Sequence, residues 1–124
     1  MNILTFINAV KIFNQVAQTK VSSRLAYKIV KLCKAAMVEE EFYNEKRNEI
    51  INEYAVRDDN GQIAVSDDGM IRIVEDKIAE AEKAMRELNE IEVEVPNIKF
   101  TLDELDELKL SVADMFALDA FIEE

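Results

Sequence analysis

The stretch "RLAYKIVKLCKAAMVEEEFYNEKRNEIINEY", Arg24 to Tyr54, runs 31 residues without a glycine or a proline. Leu25, Ile29, Leu32, Ala36, Tyr43, Ile50 and Tyr54 fall near one face at steps of three, four or seven. That spacing is helical, and Ser22 and Ser23 just before it are residues that cap helix starts. Glu40 and Arg47 interrupt the stripe. At about 1.5 Å per residue such a helix extends roughly 45 Å, longer than a small domain is wide. One end is therefore expected to project or to meet a partner.

Upstream, Asn8, Lys11, Gln15 and Gln18 make one narrow polar stripe on the otherwise apolar segment Ile3 to Thr19. A helix with that pattern buries most of its circumference. Downstream, "VRDDNGQIAVSDDGMIRI", Val56 to Ile73, holds both glycines of the chain. In "DDNG" and "SDDG" the Asp and Asn side chains bond their own backbone, and glycine takes the positive φ closed to other residues. Gln62–Val65 and Met70–Val74 are short and rich in β-formers, so two reverse turns in a small β-hairpin or meander are expected. A calcium loop would need its first ligand five residues before each glycine, where Val56 and Ala64 stand.

Ile78, Ala81, Met85 and Leu88 then follow a 3-4-3 spacing that predicts an amphipathic helix antiparallel to the long one. "IEVEVP" alternates apolar and acidic residues up to Pro96, as an edge strand or extended link does. Thr101 with Glu104, and Ser111 with Asp114, are capping-box pairs opening two short helices.

Composition narrows the chemistry. Of 124 residues 49% are hydrophobic and 33% charged, with two glycines and one proline, which suits a helix-rich globular chain. Histidine is absent, and with it the commonest general base and metal ligand. Cys33 lies among apolar neighbours and reads as a small hydrophobe of a reducing compartment. No run approaches the roughly 20 apolar residues of a membrane span. "MNILTFINAVKIF" lacks the basic start of a signal peptide, and the expected location is cytoplasmic.

Net charge is −11, unevenly spread. Residues 1–38 carry six basic groups and no acid, whereas the rest carries nine basic groups and all 26 acids. Lys20, Arg24, Lys28 and Lys31 form a ridge at helical spacing that either meets nucleic-acid phosphates or an acidic membrane surface, or is a face solvated or paired with the chain's own carboxylates. No aromatic residues interleave to stack bases, so direct nucleic-acid binding is not expected. Glu39, Glu40, Glu41, Asp103, Glu104, Asp106 and Glu107 sit on patterns of solvated faces rather than in a carboxylate pair with a pocket.

The segments "KVSSRLAYKIVKL", "EFYNEKRNEIINEYAVRDDNGQIAVSDDGMIRI" and "FTLDELDELKLSVADMFALDAFIEE" resemble small acidic proteins of unknown function encoded by bacteriophages and prophages of Gram-positive bacteria. The resemblance rests on the order of features and implies a phage accessory protein, without carrying any active-site residue.

The expected fold is mainly α: an antiparallel long-helix hairpin with an N-terminal helix, a small β-hairpin inserted at the tip and short C-terminal helices. One domain is expected over 1–124: residues 1–54 as the N-terminal and long helices, 55–75 as the β-hairpin, 76–91 as a helix, and 92–124 as an extended segment with short helices. The expected function is a non-enzymatic protein-interaction module in virion assembly, acting in the host cytoplasm or on the virion. Its partner is another protein or a second copy, with no membrane, no cofactor and no metal. The alternative is an inhibitor of a host defence protein, of anti-CRISPR type, whose acidic surface imitates nucleic acid. Catalytic residues are not assigned. The expected partner-binding residues are Leu25, Ile29, Leu32, Phe116 and Phe121, all of which could equally be core.

Overall fold

Five α-helices dominate the computed structural model, which describes residues 1–123. They are α1 Ile3–Lys11, α2 Ser23–Tyr54, α3 Ile78–Asn89, α4 Leu102–Asp106 and α5 Val112–Ala117. Short 3-10 turns at Ile12–Val16, Glu75–Lys77 and Asp119–Phe121 adjoin α1, α3 and α5. The chain divides into two compact units, where the sequence suggests one domain: Met1–Glu40 together with the chain from Glu92, and Glu41–Ile91. The boundary falls within α2.

In the first unit, Asn2 caps α1 by accepting a hydrogen bond from the Thr5 amide at 2.8 Å. The apolar run that follows, Phe6, Val10 and Phe13 among it, is buried. Ser22 opens α2, its Oγ accepting from the Leu25 amide at 3.3 Å. It also fixes that end to the tail by donating through N and Oγ to Glu107, at 2.8 and 3.1 Å. Leu25, Leu32 and Ala36 point into a core completed by Phe100, Leu105, Leu108, Leu118 and Phe121. Phe13 meets Phe100 with ring centroids 5.5 Å apart, and Phe6 meets Phe121 at 6.3 Å. Tilted aromatic pairs at these separations are favourable.

Residues 92–100 form no ladder, and the Ile98 amide turns back to the Pro96 carbonyl at 2.8 Å; Asn2 bridges Glu92, and Phe100 bridges Ile122. The Phe100 amide donates to the Phe121 carbonyl at 2.7 Å, and its carbonyl accepts from the Glu123 amide at 2.8 Å. Both capping boxes close, Thr101 with Glu104 and Ser111 with Asp114. Between the two helices Lys109 takes φ 54°, a left-handed conformation costly to a residue with a Cβ.

The basic ridge is not uniformly solvated. Lys28 turns inward and donates to Glu104 Oε1 at 2.7 Å and to the Lys99 carbonyl at 2.8 Å, with its ammonium 5.9 Å from the centre of the Phe100 ring. Lys11 lies 4.0 Å from Glu40. Lys20, Arg24, Lys31 and Lys34 make no ion pair among the described residues. Self-neutralisation is therefore partial and centred on Lys28.

In the second unit, the later part of α2 is joined to α3 by the two acidic turns. Asp58–Gly61 and Ser66–Gly69 turn as their chemistry predicts, with glycine φ of 79° and 81°. The expected β-hairpin is reduced to isolated antiparallel bridges, Ala55 with Ile73, Arg57 with Ile63 and Val65 with Ile71. Four residues between turns are too few for continuous pairing. Val56 instead splits its backbone bonds, donating to Arg72 O at 2.9 Å and accepting from Ala64 N at 2.8 Å.

Burial would raise the Glu104 pKa, but the Lys28 ammonium and the Thr101 amide outweigh it and hold the carboxyl below its ordinary value. A carboxylate with a lowered folded pKa stabilises above the unfolded value, about 4.3, and loses that contribution as pH falls through the folded one. Lys28→Gln should cost about 1–3 kcal/mol at neutral pH in urea denaturation, and Arg24→Gln less than about 0.5 kcal/mol. Glu104→Gln should flatten the loss of stability below pH 4.3 seen in the wild-type chain.

Candidate functional site

The residues predicted to bind a partner separate sharply. Leu25 and Leu32 are 0% exposed and Phe121 2%, so as folded they offer nothing to a partner. Ile29 is half-buried at the edge of the same core. Phe116 alone is on the surface, 79% exposed, with Val112 one helical turn before it at 77%. The first four side chains are held by the first unit's own packing, which is the physical reason they are core.

In each acidic turn one carboxylate oxygen, Oδ1 of Asp58 or of Asp68, is engaged by the turn's own donors. Asp58 Oδ1 accepts from the amides of Asn60 at 2.9 Å and Gln62 at 3.0 Å. Asp68 accepts from the Ser66 hydroxyl and the Met70 amide, and these bonds, the hydroxyl first, lower its pKa. No cluster of three or more metal-ligating side chains occurs among the described residues. Cys33 is half-buried, and loss of water around it raises its thiol pKa, away from the reactive thiolate. The cleft lined by Ser22, Arg24, Lys28, Thr101 and Glu104 holds the one lowered glutamate, whose Oε1 pairs with Lys28, while its Oε2 is buried without a hydrogen-bond partner and Arg24 makes no ion pair among the described residues.

The second unit presents a different feature. Its buried apolar residues among those described are Tyr43, Ala55, Ala81 and Leu88, a thin core. Tyr43 is tied to α3 by a 2.6 Å hydrogen bond from its hydroxyl to Asn89 Oδ1. Beside this contact runs an open groove of about 500 Å³, lined by Ile50, Ile51 and Ile73 and by Ile78, Ala81, Glu82, Met85, Arg86 and Asn89 of α3. Its α3 wall follows the i, i+3, i+4, i+7, i+8 line of one helix face. Ala81 is the smallest side chain on that line and the buried one, so the space opens where its larger neighbours leave a gap.

The chemistry of this groove is apolar burial. Glu82 and Arg86 are exposed, the only charged side chains of the lining, and neither makes an ion pair among the described residues. Tyr54 lies nearby in the same unit, its pKa raised by loss of water and then by Glu53 and Glu80.

Sequence reading assigned Ile78, Ala81 and Met85 to a packed face and did not see the groove. One signal was present: Ile50 and Ile51 are adjacent, and successive helical side chains diverge by about 100°, so the apolar face of α2 is broad at this point.

Among the described residues no helix is long and apolar enough to cross a membrane.

At Gly61 and Gly69 an added Cβ would meet nothing within 4 Å, so substitution is opposed by backbone conformation alone. Gly61→Ala should cost about 1–2 kcal/mol by thermal melting, and Gly61→Asn distinctly less, because Asn tolerates the left-handed region.

No family model, curated protein or solved structure matches this chain.

Proposed function

We propose that the chain is a non-enzymatic protein-interaction module, a phage accessory protein acting in virion assembly. The observation that carries the interaction role is the groove of the second unit, apolar, open and about 500 Å³. Partly exposed apolar surface of this kind is stabilised by a partner's side chains, and a helix laid along it would be read at i, i+3, i+4 and i+7. The phage setting is supported by the resemblance of "EFYNEKRNEIINEYAVRDDNGQIAVSDDGMIRI" and the flanking segments to small acidic phage proteins. In this reading α2 and α3 are the arms of a helical hairpin, the two acidic turns are its tip, and apolar burial gives affinity while the carboxylates give orientation and solubility.

A second reading is favoured by one observation. Glu41, Glu45, Glu49 and Glu53 are exposed at steps of four along α2, one carboxylate per roughly 6 Å of helix axis. A row of that kind could occupy a nucleic-acid site on a host defence protein, in the way a phosphate backbone does.

Tagged chain recovered from phage-induced cells should enrich virion components by mass spectrometry. Met85→Asp should weaken that recovery about tenfold or more, the loss of one buried apolar side chain at 1.5–3 kcal/mol. Recovery of a host nuclease instead, released steeply by salt and insensitive to Met85→Asp, would favour the inhibitor and overturn the assembly role.

A further inference from the structure

We infer that the groove of the second unit is closed by a second copy of this chain, with the α3 helices packed antiparallel, through the face that carries Glu82 and Arg86, about a two-fold axis at the level of residue 84 along the helix. This rests on the interaction role proposed above and names its occupant. A two-fold contact sets residue i against j and j against i, so the surface must complement itself. The exposed line of α3 does so. With an axis at that level and a rise of about 1.5 Å per residue, Glu82 of one copy comes level with Arg86 of the other, and the reverse. Both line the groove, and both lack an ion-pair partner among the described residues. Two reciprocal ion pairs would form from four charges that the single chain leaves unmatched.

The apolar side chains fit the same axis. Met85 of each copy lies within about 3 Å, along the axis, of Ala81 of the other, so the longest apolar side chain of the line stands over the gap left by the shortest. Ile50, Ile51, Ile73 and Ile78 would then surround the pair, and helical segments from two chains would share one apolar centre, as in a four-helix bundle. Residues 41–91 carry 14 acidic and seven basic groups, so two copies repel at long range. That repulsion is spread over the unit and is screened by salt, whereas apolar burial is not. The reciprocal pairs also select the antiparallel register, because a parallel one would place Glu82 against Glu82.

The test is sedimentation equilibrium of the full chain, from about 1 to 300 μM in 150 mM salt, with charge-swapped variants. The wild-type chain should form a dimer. Glu82→Arg and Arg86→Glu should each raise the dissociation constant about tenfold or more, since each sets like charges face to face. The double variant Glu82→Arg with Arg86→Glu restores opposite charges across the axis and should return close to wild type. Both positions are exposed, and circular dichroism confirms that each variant is folded. A monomer throughout the range overturns the inference, as does a double variant no better than the worse single one. If the chain is monomeric yet Met85→Asp abolishes capture of virion components, self-association fails while the interaction role stands. If Met85→Asp affects neither association nor capture, both fail.

Discussion

The burial of Phe100 is the contact on which the first unit turns. Its ring is fully enclosed and lies against Phe13, while its amide and carbonyl both bond the tail, at Phe121 and Glu123. One residue thus joins the 3-10 turn after α1 to the last turn of the structure. Lys28 adds a lid of charge, reaching past the ring to Glu104 and the Lys99 carbonyl. A half-buried ammonium is tolerable only because these acceptors replace its water. The basic ridge is consequently two populations: Lys28, which belongs to the fold, and Lys20, Arg24 and Lys31, which are exposed.

Much of the helical architecture was legible because its signals are local. The unbroken run to Tyr54, the Ser22 cap, both capping boxes and the two Asp/Gly turns depend on residues no more than a few positions apart, and all are present. What could not be read is which distant residues meet. Leu25 and Leu32 announce an apolar face, but that Phe100, Leu108 and Phe121 fill it is decided across some 70–90 residues, where periodicity says nothing. For that reason Leu25, Leu32 and Phe121 could be taken for a binding surface when they are core, while Phe116, on the same short helix pattern, is outside. Lys28 was equally opaque, because nothing in its spacing separates it from Arg24 or Lys31.

The second unit shows the limit from the other side. Periodicity correctly marks Ile78, Ala81, Met85 and Leu88 as one face, yet of these only Ala81 and Leu88 are buried. An apolar stripe reports that a side chain should leave water; it does not say whether the same chain supplies the cover. With bridges in place of strands and an alanine at the centre of α3, this unit has too few large side chains to cover Ile50, Ile51 and Met85. That deficit sets the geometry and the chemistry of the groove, whose lining also carries Glu82 and Arg86, neither of them in an ion pair among the described residues.

The first unit is assembled from two stretches separated by the whole of Glu41–Ile91. During synthesis α1 and the part of α2 up to Glu40 emerge long before Phe100, Leu118 and Phe121, so the apolar surface these three cover must wait for the distal stretch to leave the ribosome. The intervening unit, by contrast, is contiguous and can order as it appears, which shortens the effective loop that must close. Closure of the first unit is therefore the late step in biogenesis, and a nascent chain stalled before residue 100 would present Leu25 and Leu32 to chaperones.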